Sequence, residues 1–128
     1  MASEMVRTTA KLEVVNLEHG GRAYVKRAGE GRILDVCRAA QIDNPTQMSV
    51  VDSLNFRRWM CRATVVSIEG MIHMASKQAV EFYKFQHPLL GQIADDEFFE
   101  ALSQSDRDSI VNISAGVTSA QKDVTEGN

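Results

Sequence analysis

Residues 18–32 read EHGGRAYVKRAGEGR, with glycines at 20–21 and at 29 and 31 around a short alternating run. Ala23 and Val25 fall on one side of that run, Tyr24 and Lys26 on the other. Immediately upstream, TAKLEVVNL (9–17) also alternates, with Leu12 and Val14 on one side and Lys11 and Glu13 on the other. Two β-branched, period-two segments joined by a short linker whose glycines accept positive φ predict an antiparallel hairpin. An isolated hairpin is marginal in water, so it must lie on something else.

Beyond residue 30 the period changes from two to that of a helix. In EGRILDVCRAAQ (30–41), Ile33, Leu34, Cys37 and Ala40 form one apolar stripe. DNPTQ (43–47) then carries helix-start signals: Asn44 as N-cap, Pro45 at the first helical position and Gln47 placed to close a capping box. The helix it predicts carries Met48, Val51, Leu54, Trp59, Cys61 and Val65 and ends at about residue 64–66. TVVSIEGMIHM (64–74) reads equally as hairpin, loop or helix, the last at a cost of about 1 kcal/mol for Gly70. Ser76 predicts an N-cap for a helix over KQAVEFYKF, broken at His87-Pro88. ADDEFFEAL (94–102) predicts a short helix with acids in its first turn, and SDRDSIVNISAGV (105–117) a last one capped by Ser105 towards Asp108, with a stripe at Ile110, Ile113 and Val117. The expected fold is α+β: an N-terminal antiparallel hairpin packed on a mainly helical body, one domain over 1–128 with flexible ends at 1–8 and 118–128.

The chain has 128 residues, 44% hydrophobic and 24% charged, and a net charge of −3, which argues against a general nucleic-acid binder. The charge is uneven: residues 1–62 carry ten Lys/Arg against seven Asp/Glu, residues 63–128 four against ten. Two lone cysteines, Cys37 and Cys61, make no secreted disulfide framework, and no apolar run approaches the length of a signal peptide or a membrane span. A soluble, cytoplasmic protein is expected.

The chemistry-bearing candidates are sparse. GEGR precedes a helix but lacks the lysine and hydroxyl of a phosphate loop. Arg22, Lys26, Arg27 and Arg32, with Tyr24 as a stacking ring, form the strip that a nucleic-acid reading requires, although Glu18 and Glu30 bracket it. His19, His73 and His87 stand at no metal-ligand spacing, and no cofactor fingerprint appears. A Cys61–His73 nucleophile pair has no local support, and Asp95-Asp96 reads as a helix start, not a catalytic pair. An enzyme is therefore the weakest class. In NFRRWMCR (55–62), Arg58 and Arg62 share a helix face, and the acidic DDEFFE segment is their natural counterpart, within the fold or across a homo-oligomer contact. Six methionines, with HPLL and EFF, suggest more apolar surface than a monomer hides, as a partner-binding groove would need. The residues assigned to such a groove are Trp59, Met71, Met74, Phe82, Phe98 and Phe99.

The order of these features resembles the tail assembly chaperones of long-tailed bacteriophages over about residues 11–117. KLEVVNLEHGGRAYVKRAGEGR opens the chain, with YVKR (24–27) where that family has a V-x-V-R-like second strand. A helix of the NFRRWMCRATVV type, an acidic-Gly break at Glu69-Gly70 and a helical C-terminus follow. The resemblance implies a non-enzymatic adaptor, in the host cytoplasm or the virion, that coats a tape-measure protein and recruits tail-tube subunits. A virion structural subunit is the alternative within the same setting, and a small nucleic-acid binder using the Arg22–Arg32 strip the alternative outside it.

Overall fold

The computed structural model describes residues 12–116. It is an α+β fold with an N-terminal antiparallel hairpin, β1 (Glu13–Asn16) and β2 (Arg22–Val25), followed by α1 (Glu30–Ala39) and α2 (Val50–Thr64). Then come β3 (Val65–Glu69), a second hairpin of β4 (Lys84–His87) and β5 (Gly91–Ala94), and two closing helices, α3 (Asp96–Glu100) and α4 (Gln104–Ser114). The first sheet has the order β1-β2-β3, both pairings antiparallel, and the second is the β4-β5 pair alone.

The β1–β2 turn forms as its glycines suggest, with Gly20 at φ 105° and Gly21 at φ 88°. Leu17 and Gly21 close it through a 2.9 Å backbone hydrogen bond. Ala23 and Val25 are fully buried, and Val15 and Leu17 join them on the inner face. The other side of β1 carries Leu12 and Val14 outward, so half of this strand's apolar content meets solvent.

The open segment 64–74 resolves into a strand paired far from itself. Val65 both caps α2 and begins β3, whose residues lie opposite β2 from Arg22↔Glu69 to Val25↔Val65, with a bulge at Tyr24/Val25. No local signal could have shown this, because β2 lies forty residues upstream.

Three expected boundaries are corrected. α2 starts five residues later than the DNPTQ signal implies: Ser49 is its N-cap, with a reciprocal capping box to Asp52. Asn44 instead closes a turn, its Oδ1 accepting from Thr46 N at 3.1 Å and Thr46 Oγ1 at 2.7 Å. Likewise α4 is capped by Ser103, which accepts from Asp106 N at 3.1 Å, not by Ser105. The expected helix over 76–85 does not form. Lys77 takes φ 64° in a tight turn, Ile72 bridges Ala79, and Val80 N bonds to Met71 O at 3.0 Å. Val80 and Phe82 point inward while Glu81 and Tyr83 are exposed, a period of two that spacing alone confuses with a helical stripe. His87-Pro88 therefore ends a strand. His87 Nδ1 accepts from Leu89 N and Leu90 N at 3.1 and 3.2 Å, building the β4–β5 turn.

The main core joins the inner face of the first sheet to Phe98 and Phe99 of α3, Leu102 of the α3–α4 corner and Ile110 of α4. A second cluster, Val36, Met60, Leu90 and Ile93, locks α1 and α2 to the β4–β5 hairpin. In α1 the buried side chain beside Cys37 is Val36, whereas Leu34 is exposed. Burial along α2 rises steadily towards its C-terminus: Met60, Cys61, Arg62 and Thr64 are buried, while Val50, Val51 and Leu54 are in solvent.

Candidate protein-docking surfaces

The expected ion pairing between α2 and the acidic helix occurs within the fold. Arg58 bonds to Asp96 and to Glu100, the latter at 2.9 Å, and Arg62 reaches Asp96 at 3.5 Å. Arg57 pairs with Asp108 of α4 at 2.8 Å. The guanidinium of Arg62 is 6% exposed and stands between two rings, Trp59 at 4.7 Å and Phe85 at 5.1 Å, with its Nε donating to Ala94 O at 2.9 Å. Burial lowers its pKa from the ordinary guanidinium value, and Asp96 opposes that shift.

Of the six side chains assigned to a groove, three are enclosed. Phe98 is fully buried, Phe99 is 3% exposed under the guanidinium groups of Arg58 and Arg107, and Met71 is 5% exposed. Phe82 is half-buried and packs edge-on against Phe98 at 5.2 Å. Trp59 is half-buried beneath Arg62, edge-on to His87 at 5.1 Å. Phe98 and Phe99 are enclosed because α3 is a five-residue helix that turns both adjacent rings inward. Met74 alone stands well out, at 46% exposure.

The basic strip is mostly spent inside the fold. Arg22 pairs with Glu69 at 3.2 Å, and Tyr24 Oη donates to the same carboxylate oxygen at 2.6 Å. Arg27 lies 3.6 Å from Glu13, and Arg32 donates to the carbonyls of Leu90 and Ala63. Lys26, Arg27 and Arg32 do line a concavity near Gly29, the N-cap of α1, but only Lys26 of the strip lacks a partner among the described residues.

Catalytic pairing of Cys61 with His73 is not what the structure arranges. The thiol is fully buried, it hydrogen-bonds to the carbonyl of Arg107 at 3.6 Å, and burial pushes its pKa up to about 12. His73 Nε2 instead sits 3.5 Å from Glu97. At pH 8 such a thiol is almost wholly protonated. Its modification by a disulfide reagent is expected to proceed only as fast as the chain opens, accelerating with denaturant. Rapid labelling of Cys61 in the native Cys37→Ser variant at pH 8 would contradict this. Among the described residues, no three His, Cys, Asp or Glu side chains stand together as a metal site, and no helix is long and apolar enough to cross a membrane.

Two of the surfaces with exposed apolar area bear on docking. One is the first turn and a half of α2, where Val50, Val51 and Leu54 are 76%, 64% and 50% exposed. Helical spacing puts Val51 and Leu54 on α2, but it does not encode that this end of the helix projects. The other is a pocket of about 240 Å³ where the β1–β2 turn, the loop after β3 and the α3–α4 corner converge. Leu17, Met71 and Leu102 form its buried floor, and Met74 its exposed lip. The pocket thus unites the two predicted methionines while leaving out the predicted aromatics. Asp106, 7% exposed, holds its wall in place by accepting Glu18 N on both carboxylate oxygens, at 3.0 and 3.1 Å. No protein-family model, curated protein or solved structure matches the chain.

Proposed function

We propose that this chain is a non-enzymatic adaptor that binds other proteins, and that it serves as a tail assembly chaperone of a long-tailed bacteriophage. The observation that carries the adaptor reading is the exposed aliphatic cluster Val50, Val51 and Leu54, grouped within five residues of one helix. Covering a valine or leucine side chain contributes about 1.5–3 kcal/mol, so these three alone give a docking partner a substantial gain. The phage setting rests on the order of sequence features described above, from YVKR to the Glu69-Gly70 break. An elongated apolar client helix needs its sticky face covered until assembly, and many copies of a small adaptor do so by avidity.

Co-expression with the proteins encoded by its flanking genes tests this reading, which expects a tape-measure and a tail-tube protein among them. The wild-type chain is expected to retain one of them through purification. A Val51→Asp, Leu54→Asp double variant, altered only at exposed positions, is expected to stay folded and lose the client. Retention of neither protein by the wild type, or equal retention by the variant, would refute the proposal. Persistence of the chain in purified particles would favour a virion structural subunit instead.

A further inference from the structure

The pocket at the β1–β2 turn has a rim of one sign. Its lining includes His19, Glu100 and Asp106 and no lysine or arginine. Glu100 is engaged by Arg58 and, at 3.9 Å, by Arg107. The remaining acids around it are different. Asp106 makes no ion pair among the described residues, its carboxylate being held only by the amide of Glu18. Glu18 has only His19, at 3.9 Å, and Glu97 only His73, at 3.5 Å; both carboxylates are about half exposed. Glu69, Asp108 and Asp96 pair with Arg22, Arg57 and Arg58. Asp106, Glu18 and Glu97, beside the open apolar floor, have no arginine partner among the described residues.

The floor itself has room for one large apolar side chain. Its volume of about 240 Å³ exceeds that of a single leucine or methionine side chain, and Met74 at the lip can repack around different occupants. The geometry points to an anchor site for a leucine- or methionine-sized side chain of a protein partner that carries lysine or arginine beside that anchor. This rests on the adaptor reading above and adds the chemistry of the client; it uses a different surface from the aliphatic cluster of α2. Steering by the acidic rim acts on the encounter, and the buried anchor holds the complex.

Two fourteen-residue helical peptides sharing one leucine stripe, with lysine at every polar position in one and glutamate in the other, are the probes. The full chain, labelled at Met, Leu and Val methyl groups, is titrated with each by NMR. The lysine peptide is expected to move the Met71 and Met74 signals, leave the core residue Met60 unmoved and bind at least about tenfold tighter than the glutamate peptide at low salt, with the ratio shrinking at high salt. Met74→Lys, at an exposed position, is expected to weaken the lysine peptide by about tenfold or more. Equal or tighter binding of the glutamate peptide overturns the inference. So does a response confined to Val50, Val51 and Leu54, which would leave the adaptor reading standing. Binding by neither peptide also overturns it, and a Met74 signal that moves with protein concentration alone would assign the pocket to a second copy of the chain.

Discussion

Replacing Gly21 with alanine is expected to destabilise the protein by about 3 kcal/mol or more. A Cβ there would lie 2.6 Å from the carbonyl carbon and oxygen of Gly70 and 2.7 Å from Met71 N, all backbone atoms that have no rotamer to escape into. The residue also holds φ 88°, a conformation that costs an L-residue about 1–2 kcal/mol by itself. Gly20 supplies the control. It sits at φ 105° in the same turn with nothing near its would-be Cβ, so Gly20→Ala is expected to carry only the conformational cost, about 1–2 kcal/mol. Urea denaturation of the two variants measures the difference. If they were equally stable, the close approach of the β1–β2 turn to the end of β3 would be wrong, and with it the shape of the pocket floor.

Arg62→Ala is the second large effect, expected to cost about 3–4 kcal/mol. The loss has three parts. The charge-assisted bond to Ala94 O is worth about 1.5–3 kcal/mol. The stacking on Trp59 and Phe85 adds about 0.5–2 kcal/mol for each ring. The aliphatic stem also leaves a gap between α2 and the β4–β5 hairpin. Asp96 contributes little to this balance, since its carboxylate is half exposed and keeps Arg58 as a partner. Arg62→Lys is expected to recover less than half of the loss, because an ammonium cannot lie flat between two rings while donating along the chain to a carbonyl. Denaturation midpoints of the two variants decide it; a lysine variant as stable as the wild type would show that the planar stacking contributes nothing.

Much of the fold was legible where the signal is local. The Gly20-Gly21 turn, α1, the C-terminal reach of α2 and the acid-first start of α3 all follow from neighbouring residues. The pairing of Arg58 and Arg62 with the acidic helix was also readable, because unlike charges on two short helices have few other partners. What failed was competition between equally good local signals. Asn44-Pro45 and Ser49 both start helices well; Ser49 wins because Asp52 completes its box, and Asn44 is drawn into a turn with Thr46. Ala79, Val80, Phe82 and Tyr83 fit a helix or a strand, and the pairing of Val80 with Met71 decides for the extended form. The candidate site was harder still. Phe98 and Phe99 look like surplus in the sequence, but a wedge lying between arginines and the sheet hides both. Val51 and Leu54 fit the helical pattern of α2 as well as Met60 and Cys61 do, yet only the second pair is buried. Inside and outside depend on where an element sits, which spacing within that element does not encode.

The junction of α2 and β3 has no connecting residues, Val65 serving as the last cap and the first strand position at once. One residue gained or lost there would rotate the helix behind it by about 100° and turn every β3 side chain over, so the buried and outer faces would exchange together. Natural variation in chain length is therefore expected to avoid this point and to fall in turns, where both periodicities survive it.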